Sequence, residues 1–227
     1  MIVAQVLELD TQAIDFVLAF PQAELEVPVY MELPAGMELA GHGKDSSRYL
    51  LKLKRSLYGL KQASMNWHCK LKTAFEDRGF VESLSDPCVF ISKDMIILVY
   101  VDDCILISKE TLVIQKFISS LKVGTEDFVF TEEGTMNLYL GVDISPLPDK
   151  KGFILSQPFL IDRIVQALNF DPKTTKSATS NTPAGYPLLN KDENGPARKA
   201  SWKYQGIIGM LGYLQGTTRP DIAVATH

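Results

Sequence analysis

The sequence predicts an α+β fold, and three observations carry that expectation. Apolar runs of strand length, at about 88–91, 96–101 and 104–108, follow one another with only turn residues between them. Two longer segments, about 62–77 and 110–122, carry apolar residues at helical spacing. The chain has 227 residues, 46% of them apolar and 22% charged. That is enough to fill a core and is incompatible with disorder throughout.

Composition excludes several classes. The formal net charge of −4 gives no global positive field of the kind that advertises nucleic acid. Cys69, Cys88 and Cys104 form no CxxC pair, and His42, His68 and His227 share no ligand spacing with them, which argues against zinc and for a reducing compartment. The first ten residues lack the basic segment of a signal peptide. The most apolar run, 95–107, is too short for a membrane span and contains Asp102 and Asp103. A soluble intracellular chain, with no membrane partner, is expected.

The elements follow in order. Residues 1–33 read as extended structure, with the apolar run IDFVLAF and then VPVYMEL in partial alternation. Residues 34–47, rich in Gly and Ser, read as a surface loop, and 49–53 as a strand. A turn at Tyr58–Gly59 leads into a helix over 62–77, whose apolar face is Trp67, Leu71, Ala74 and Phe75 and whose end is Arg78–Gly79. The strands at 88–91 and 96–101 are joined by the polar turn 92–94, and the strand at 104–108 follows Asp102–Asp103. In the helix over 110–122, Leu112, Ile114, Phe117, Ile118 and Leu121 form the apolar face. Strands are expected at 128–130 and 138–144, with 152–155 as a hairpin partner, and a helix at 159–168 after Pro158. Residues 171–201, with four prolines and few apolar residues, read as a linker or long loop. A glycine-containing helix over 204–214 follows, and the chain stops at His227 in a segment that reads as helical, as a fragment would.

The chemistry concentrates at Tyr100–Val101–Asp102–Asp103. A strand core excludes unpaired carboxylates, so two adjacent aspartates between apolar strands need a turn, a cation, or both. Taken alone, the pattern fits an ordinary tight turn as well as a metal site. Asp15 tips the balance, because it sits inside another apolar strand where no turn accounts for it. A strand-borne Asp with an Asp pair at a hairpin tip suits a two-metal phosphoryl-transfer site, where hard oxygen ligands hold two Mg²⁺ ions about 3.5–4 Å apart.

Longer motifs narrow the assignment. AIDFVLAFPQAELEVPVYMELPAG, LKLKRSLYGLKQASMNW, GFVESLSDPCVF, ILVYVDD, LYLGVDI, GFILSQPFLIDRIV, NTP and TRPDIAVA occur in that order. With them the chain resembles the reverse transcriptase of copia-type retrotransposons over nearly its whole length. SLYGLKQA, SDPCVF and YVDD in sequence are highly specific.

The resemblance implies a polymerase palm, an antiparallel sheet packed on helices, with partial fingers and a thumb-like C-terminal element. Residues 1–170 would form the palm with partial fingers, 171–201 a linker, and 202–227 the start of a truncated thumb or connection region. Asp15, Asp102 and Asp103 match the catalytic aspartates. Phe16 matches the position whose backbone carbonyl joins the metal shell. Two Mg²⁺ ions, with Mn²⁺ as a substitute, are the implied cofactors. Phe20 falls where related enzymes place an aromatic beneath the incoming sugar, selecting dNTP over NTP. Tyr58, Gly59, Lys61 and Gln62 match the segment against the nucleotide and template base. Residues 138–144, with Tyr139 and Gly141, match the hairpin that supports the primer terminus. The implied partners are an RNA or DNA template with primer, dNTP, and the upstream fingers and downstream RNase H segments of a parent polyprotein. The implied location is a cytoplasmic particle or the nucleus.

Local charge supports that reading. Residues 44–72 hold eight basic side chains (Lys44, Arg48, Lys52, Lys54, Arg55, Lys61, Lys70 and Lys72) against Asp45 alone, with Tyr49, Tyr58 and Trp67 among them. A positive track with aromatics is the footprint of a template channel that overall charge hides. For Lys70 and Lys72 a solvated helix face accounts for the charge equally well.

The departures are specific. Ser64–Met65 stand where the family has Pro, and Phe16–Val17–Leu18 where it includes polar residues. The basic fingers strand is expected upstream of Asp15, where only fourteen residues lie. The alternative is therefore an inactive retrotransposon remnant that at most binds nucleic acid. A nucleotide cyclase on a related palm explains neither SLYGLKQA nor the basic segment.

Overall fold

The structure, a computed structural model, describes residues 4, 6–34, 36–37, 49–123, 128–148, 152–170 and 203–226. The loop expected at 34–47 falls mostly outside the described residues, and the linker at 171–201 wholly so. The chain divides into two compact units, Met1–Met136 and Asn137–His227.

The first unit is built on a six-stranded sheet. Its strands are β1 (Asp10–Phe16), β4 (Val81–Glu82), β5 (Val89–Ile91), β6 (Met95–Tyr100), β7 (Asp103–Ser108) and β8 (Phe130–Gly134), in the order β4-β5-β6-β7-β1-β8. Each adjacent pair is antiparallel. Strands β2 (Tyr30–Glu32) and β3 (Leu50–Lys52) form a separate ribbon. The one-turn helix α1 (Ala19–Gln22) follows β1, and the longer helices are α2 (Ala63–Glu76) and α3 (Thr111–Lys122).

Side-chain alternation gives the sheet two different faces. Ile14 and Phe16 of β1, Met95, Ile97 and Val99 of β6, and Cys104 and Leu106 of β7 are buried in one cluster. Trp67, Leu71, Ala74 and Phe75 of α2 and Ile114, Phe117, Ile118 and Leu121 of α3 complete it. Phe75 lies at its centre, ringed by Phe80, Phe90 and Phe117 at centroid distances of 5.0–6.2 Å. Arg78 ties the two helices together by donating to the Ala74 carbonyl at 2.7 Å and to the Ser120 carbonyl at 2.8 Å. The opposite face carries Asp15, Tyr100, Asp103 and Thr131.

The α+β expectation with an antiparallel sheet is met, and four local expectations need correction. The run IDFVLAF is not one strand: β1 stops at Phe16, and Leu18 at φ 51° turns the chain into α1. Leu112 does not join the apolar face of α3 and is 69% exposed, because it lies about 200° around the helix from Ile114. The strand expected at 128–130 begins instead at Phe130 and runs on to Gly134. Residues 138–144, read as one strand, are two, β9 (Leu138–Tyr139) and β10 (Val142–Pro146), with Tyr139 paired to Val142. The loop between them is Leu140–Gly141, with φ 50° and 74°, the double positive φ of a tight hairpin.

In the second unit, β11 (Phe153–Ser156) pairs with β10, completing a three-stranded sheet. Helix α4 (Pro158–Ala167) begins on its proline, which fixes φ where no helical N–H is needed. Helix α5 (Tyr204–Thr217) and the short α6 (Ala223–Thr226) follow. The Tyr213 hydroxyl donates to the Leu140 carbonyl at 2.6 Å, bracing the β9–β10 turn. Among the described residues no helix is long and apolar enough to cross a membrane.

Candidate active site

The antiparallel register between β1 and β7 places Asp15 directly opposite Asp103. One residue further on, the Phe16 amide donates to the Asp102 carbonyl at 2.9 Å. Hydrogen-bonded and non-bonded pairs alternate along such a ladder, so Asp15 and Asp103 form a non-bonded pair, the kind whose side chains lie closest. Two carboxylates 88 positions apart in sequence thus share one point on the open face of the sheet.

Asp102 occupies the second position of the two-residue loop between β6 and β7, since Tyr100 pairs with Asp103. The first position is Val101, at φ 54°. A β-branched residue rarely takes that left-handed conformation, and here it is held from outside. The Trp67 indole Nε1–H donates to the Val101 carbonyl at 2.8 Å. Asp102 Oδ2 accepts from the Tyr58 hydroxyl at 3.3 Å, while its Oδ1 is buried without a hydrogen-bond partner.

The electrostatics are those of crowded like charges. Burial raises the Asp15 carboxyl above its usual range, and the charges of Asp102 and Glu133 raise it further. Asp103 is raised by burial, then by Asp15, Asp102 and Glu133. Tyr58 is raised by burial and by Asp102. Asp15 and Asp103 therefore both feel the charge of Asp102. Even so, among the described residues no three His, Cys, Asp or Glu side chains close into a cluster able to hold a metal ion. The backbone thus sets Asp15 opposite Asp103 beside the Asp102 turn, without a closed set of three ligand side chains. Asp102 turns one oxygen to Tyr58. The donor set still fits a hard divalent cation: it is all oxygen and rich in charge, and it contains an orphaned buried carboxylate atom.

Of the other expected residues, Tyr58 reaches Asp102 directly. Phe20, on α1, is half-buried and packs its ring on Tyr58 at 4.6 Å. Gly59, at φ 95°, and the exposed Lys61 form the turn into α2, and Gln62 is its N-cap. Phe16 sends its side chain away from the open face, into the core against Trp67 at 5.1 Å. Within the basic segment, Lys44 and Arg48 lie outside the described residues. Lys72 is paired with Glu82 and Glu76, Arg55 with Glu24 at 3.2 Å, and Lys70 donates to the Gln22 carbonyl at 3.0 Å.

The roles of two residues near the site are not legible in the sequence. Glu133 on β8 shares the face of Asp15, since Thr131 lies opposite Asp15 and hydrogen-bonds to Glu133 at 3.1 Å. Nothing local to TEEG signals this, because the neighbour of β8 is 118 residues away. The sequence marks Trp67 as a core residue and as an aromatic of the basic segment, not as a partner of the Asp102 turn, although a buried indole N–H needs an acceptor and that need is the available signal.

The family profile described as reverse transcriptase (RNA-dependent DNA polymerase) matches residues 2–184. The chain is 32% identical, over 96% of its length, to the retrovirus-related Pol polyprotein from transposon TNT 1-94 of Nicotiana tabacum. It is 32% and 31% identical, over 92% of its length, to the corresponding polyproteins from transposons RE2 and RE1 of Arabidopsis thaliana. The chain spans 14–16% of the length of these relatives. No solved structure matches it.

Proposed function

This chain belongs to the reverse transcriptase (RNA-dependent DNA polymerase) family, and on that premise we propose that it carries out RNA-directed DNA synthesis at the point where β1 meets the β6–β7 turn. In this reading the six-stranded sheet belongs to the polymerase palm, and α5 and α6 belong to a thumb-like element. The observation that carries the proposal is the Asp15–Asp103 register pair, with Asp102 hydrogen-bonded through its carbonyl to the peptide that follows Asp15.

Asp15 and Asp102 would hold two Mg²⁺ ions, or Mn²⁺ in their place, with Asp103 and the Phe16 carbonyl contributing. When bound, such ions activate a primer 3′-hydroxyl and neutralise the triphosphate. The chain's own residues do the rest. The Phe20 ring, backed by Tyr58, fills the space beneath an incoming sugar and excludes a 2′-hydroxyl. Gly59 lets backbone approach the nucleotide, Gln62 borders it, and Lys61 stands exposed at the same turn to meet phosphate. The template and primer lie along the basic segment.

Primer extension on an RNA template, with Mg²⁺ and dNTPs, tests this. Extension by the wild-type chain and its loss, about 10³-fold or more, in Asp102→Asn is the expected result. Primer–template binding without extension in the wild type would favour the inactive remnant instead.

A further inference from the structure

We infer that Trp67 is a positioning residue for the carboxylate site, acting as the brace that holds the Asp102 turn against β1. The inference rests on the reading of that site as the centre of nucleotidyl transfer, and its structural half can be tested separately.

Three observations meet at one side chain. Val101 holds an unfavourable left-handed backbone beside Asp102, at φ 54°. Without a glycine or asparagine there, the conformation persists only if its surroundings impose it. The Trp67 indole N–H supplies that restraint through its 2.8 Å bond to the Val101 carbonyl. The same ring is 2% exposed and packs edge-on against Phe16, the neighbour of Asp15, at 5.1 Å. One rigid side chain therefore contacts the residue beside each half of the site. Losing the N–H would let the turn relax toward negative φ and carry Asp102 away from its register with Phe16. Trp67 touches neither carboxylate, so its effect passes entirely through the backbone of Val101 and the ring of Phe16.

The closing experiment has two arms. In the first, hydrogen exchange is followed by mass spectrometry in wild type, Trp67→Phe and Trp67→Phe/Val101→Gly. Trp67→Phe keeps an aromatic ring in the core and removes the donor. We expect exchange in the peptide covering 99–104 to rise about tenfold in Trp67→Phe, while the peptide covering 72–78 is unchanged. Val101→Gly, which abolishes the conformational strain, should return most of that protection in the double variant. In the second arm, primer extension by Trp67→Phe should show kcat reduced about tenfold, a dNTP KM within twofold of wild type, and a several-fold higher Mg²⁺ requirement. The double variant should recover at least threefold in kcat. Unchanged exchange at 99–104, or a rise that spreads equally through α2 and is not rescued by glycine, would overturn the inference. The predicted exchange pattern in a wild-type chain that never extends a primer would overturn the functional reading and leave the brace intact.

Discussion

Replacing Asp15 by Asn should make the protein more stable while destroying its site. Asp15 and Asp103 face each other as a non-bonded cross-strand pair, which sets their Cβ atoms about 4.5–5.5 Å apart. At about 5 Å, two unit charges repel by roughly 0.8 kcal/mol in water and roughly 3 kcal/mol at an effective dielectric of 20. Both groups are partly open to solvent, so screening favours the lower figure, about 1 kcal/mol. For a chain of this size that raises Tm by about 2–4 °C. Thermal unfolding followed by circular dichroism at pH 7 and low salt is the assay. Asp103→Asn should give a similar gain, and the double variant less than the sum of the two, because the repulsion between Asp15 and Asp103 is removed only once while that from Asp102 and Glu133 is relieved at each position. The pH dependence has a fixed sign. The folded state raises both carboxyl groups above their ordinary value of 3.8, so it binds protons more tightly than the unfolded chain. Wild-type stability is therefore penalised once pH exceeds the raised folded values, and the penalty disappears as pH falls below 3.8. The gain from Asn should vanish at pH 3.5 and shrink in 1 M salt. An Asn variant equal to or less stable than wild type at pH 7, or a gain that persists unchanged at pH 3.5, would refute this reasoning.

Three further outcomes are expected. Phe20→Ala should admit ribonucleotides in primer extension at least tenfold more readily than wild type while leaving the Mg²⁺ requirement unchanged; an active variant with unaltered sugar preference would reduce Phe20 to a core contact of Tyr58. Lys61→Ala should lower the salt slope of primer–template binding by about 1, whereas Lys72→Ala, whose ammonium is paired with Glu82 and Glu76, should leave it within about 0.3. Phe75→Ala should cost about 3–5 kcal/mol in denaturant unfolding, because its ring is fully buried among Phe80, Phe90 and Phe117.

Local pattern reveals what local physics determines. The helix at Ala63–Glu76 and the hairpin around Asp102 were readable because apolar periodicity and a charged pair between apolar runs have few other solutions. The end of β1 was not readable: Val17 and Leu18 continue the apolar run, and only the left-handed Leu18 breaks it. Residues 138–144 hid their turn for the same reason, since Leu140 takes a positive φ that its side chain does not advertise. Asp15 announced itself as a charge in a strand. Its exact partner did not, because a one-residue slip in the register would have sent it to the opposite face. Glu133 reaches the site through the β1–β8 pairing, with its register shift between Ala13 and Ile14, and local sequence cannot supply that.

The most direct test of a shared cation site between β1 and the β6–β7 turn is cleavage by bound iron. Fe²⁺ loaded in place of Mg²⁺, with ascorbate and peroxide, cuts backbone only within a few ångströms of the metal. Cuts are expected at two places, near Asp15 and near 101–103, both suppressed by excess Mg²⁺ and both lost in Asp102→Asn. Cleavage at one of these segments without the other, or cuts that survive Asp102→Asn, would contradict a shared site.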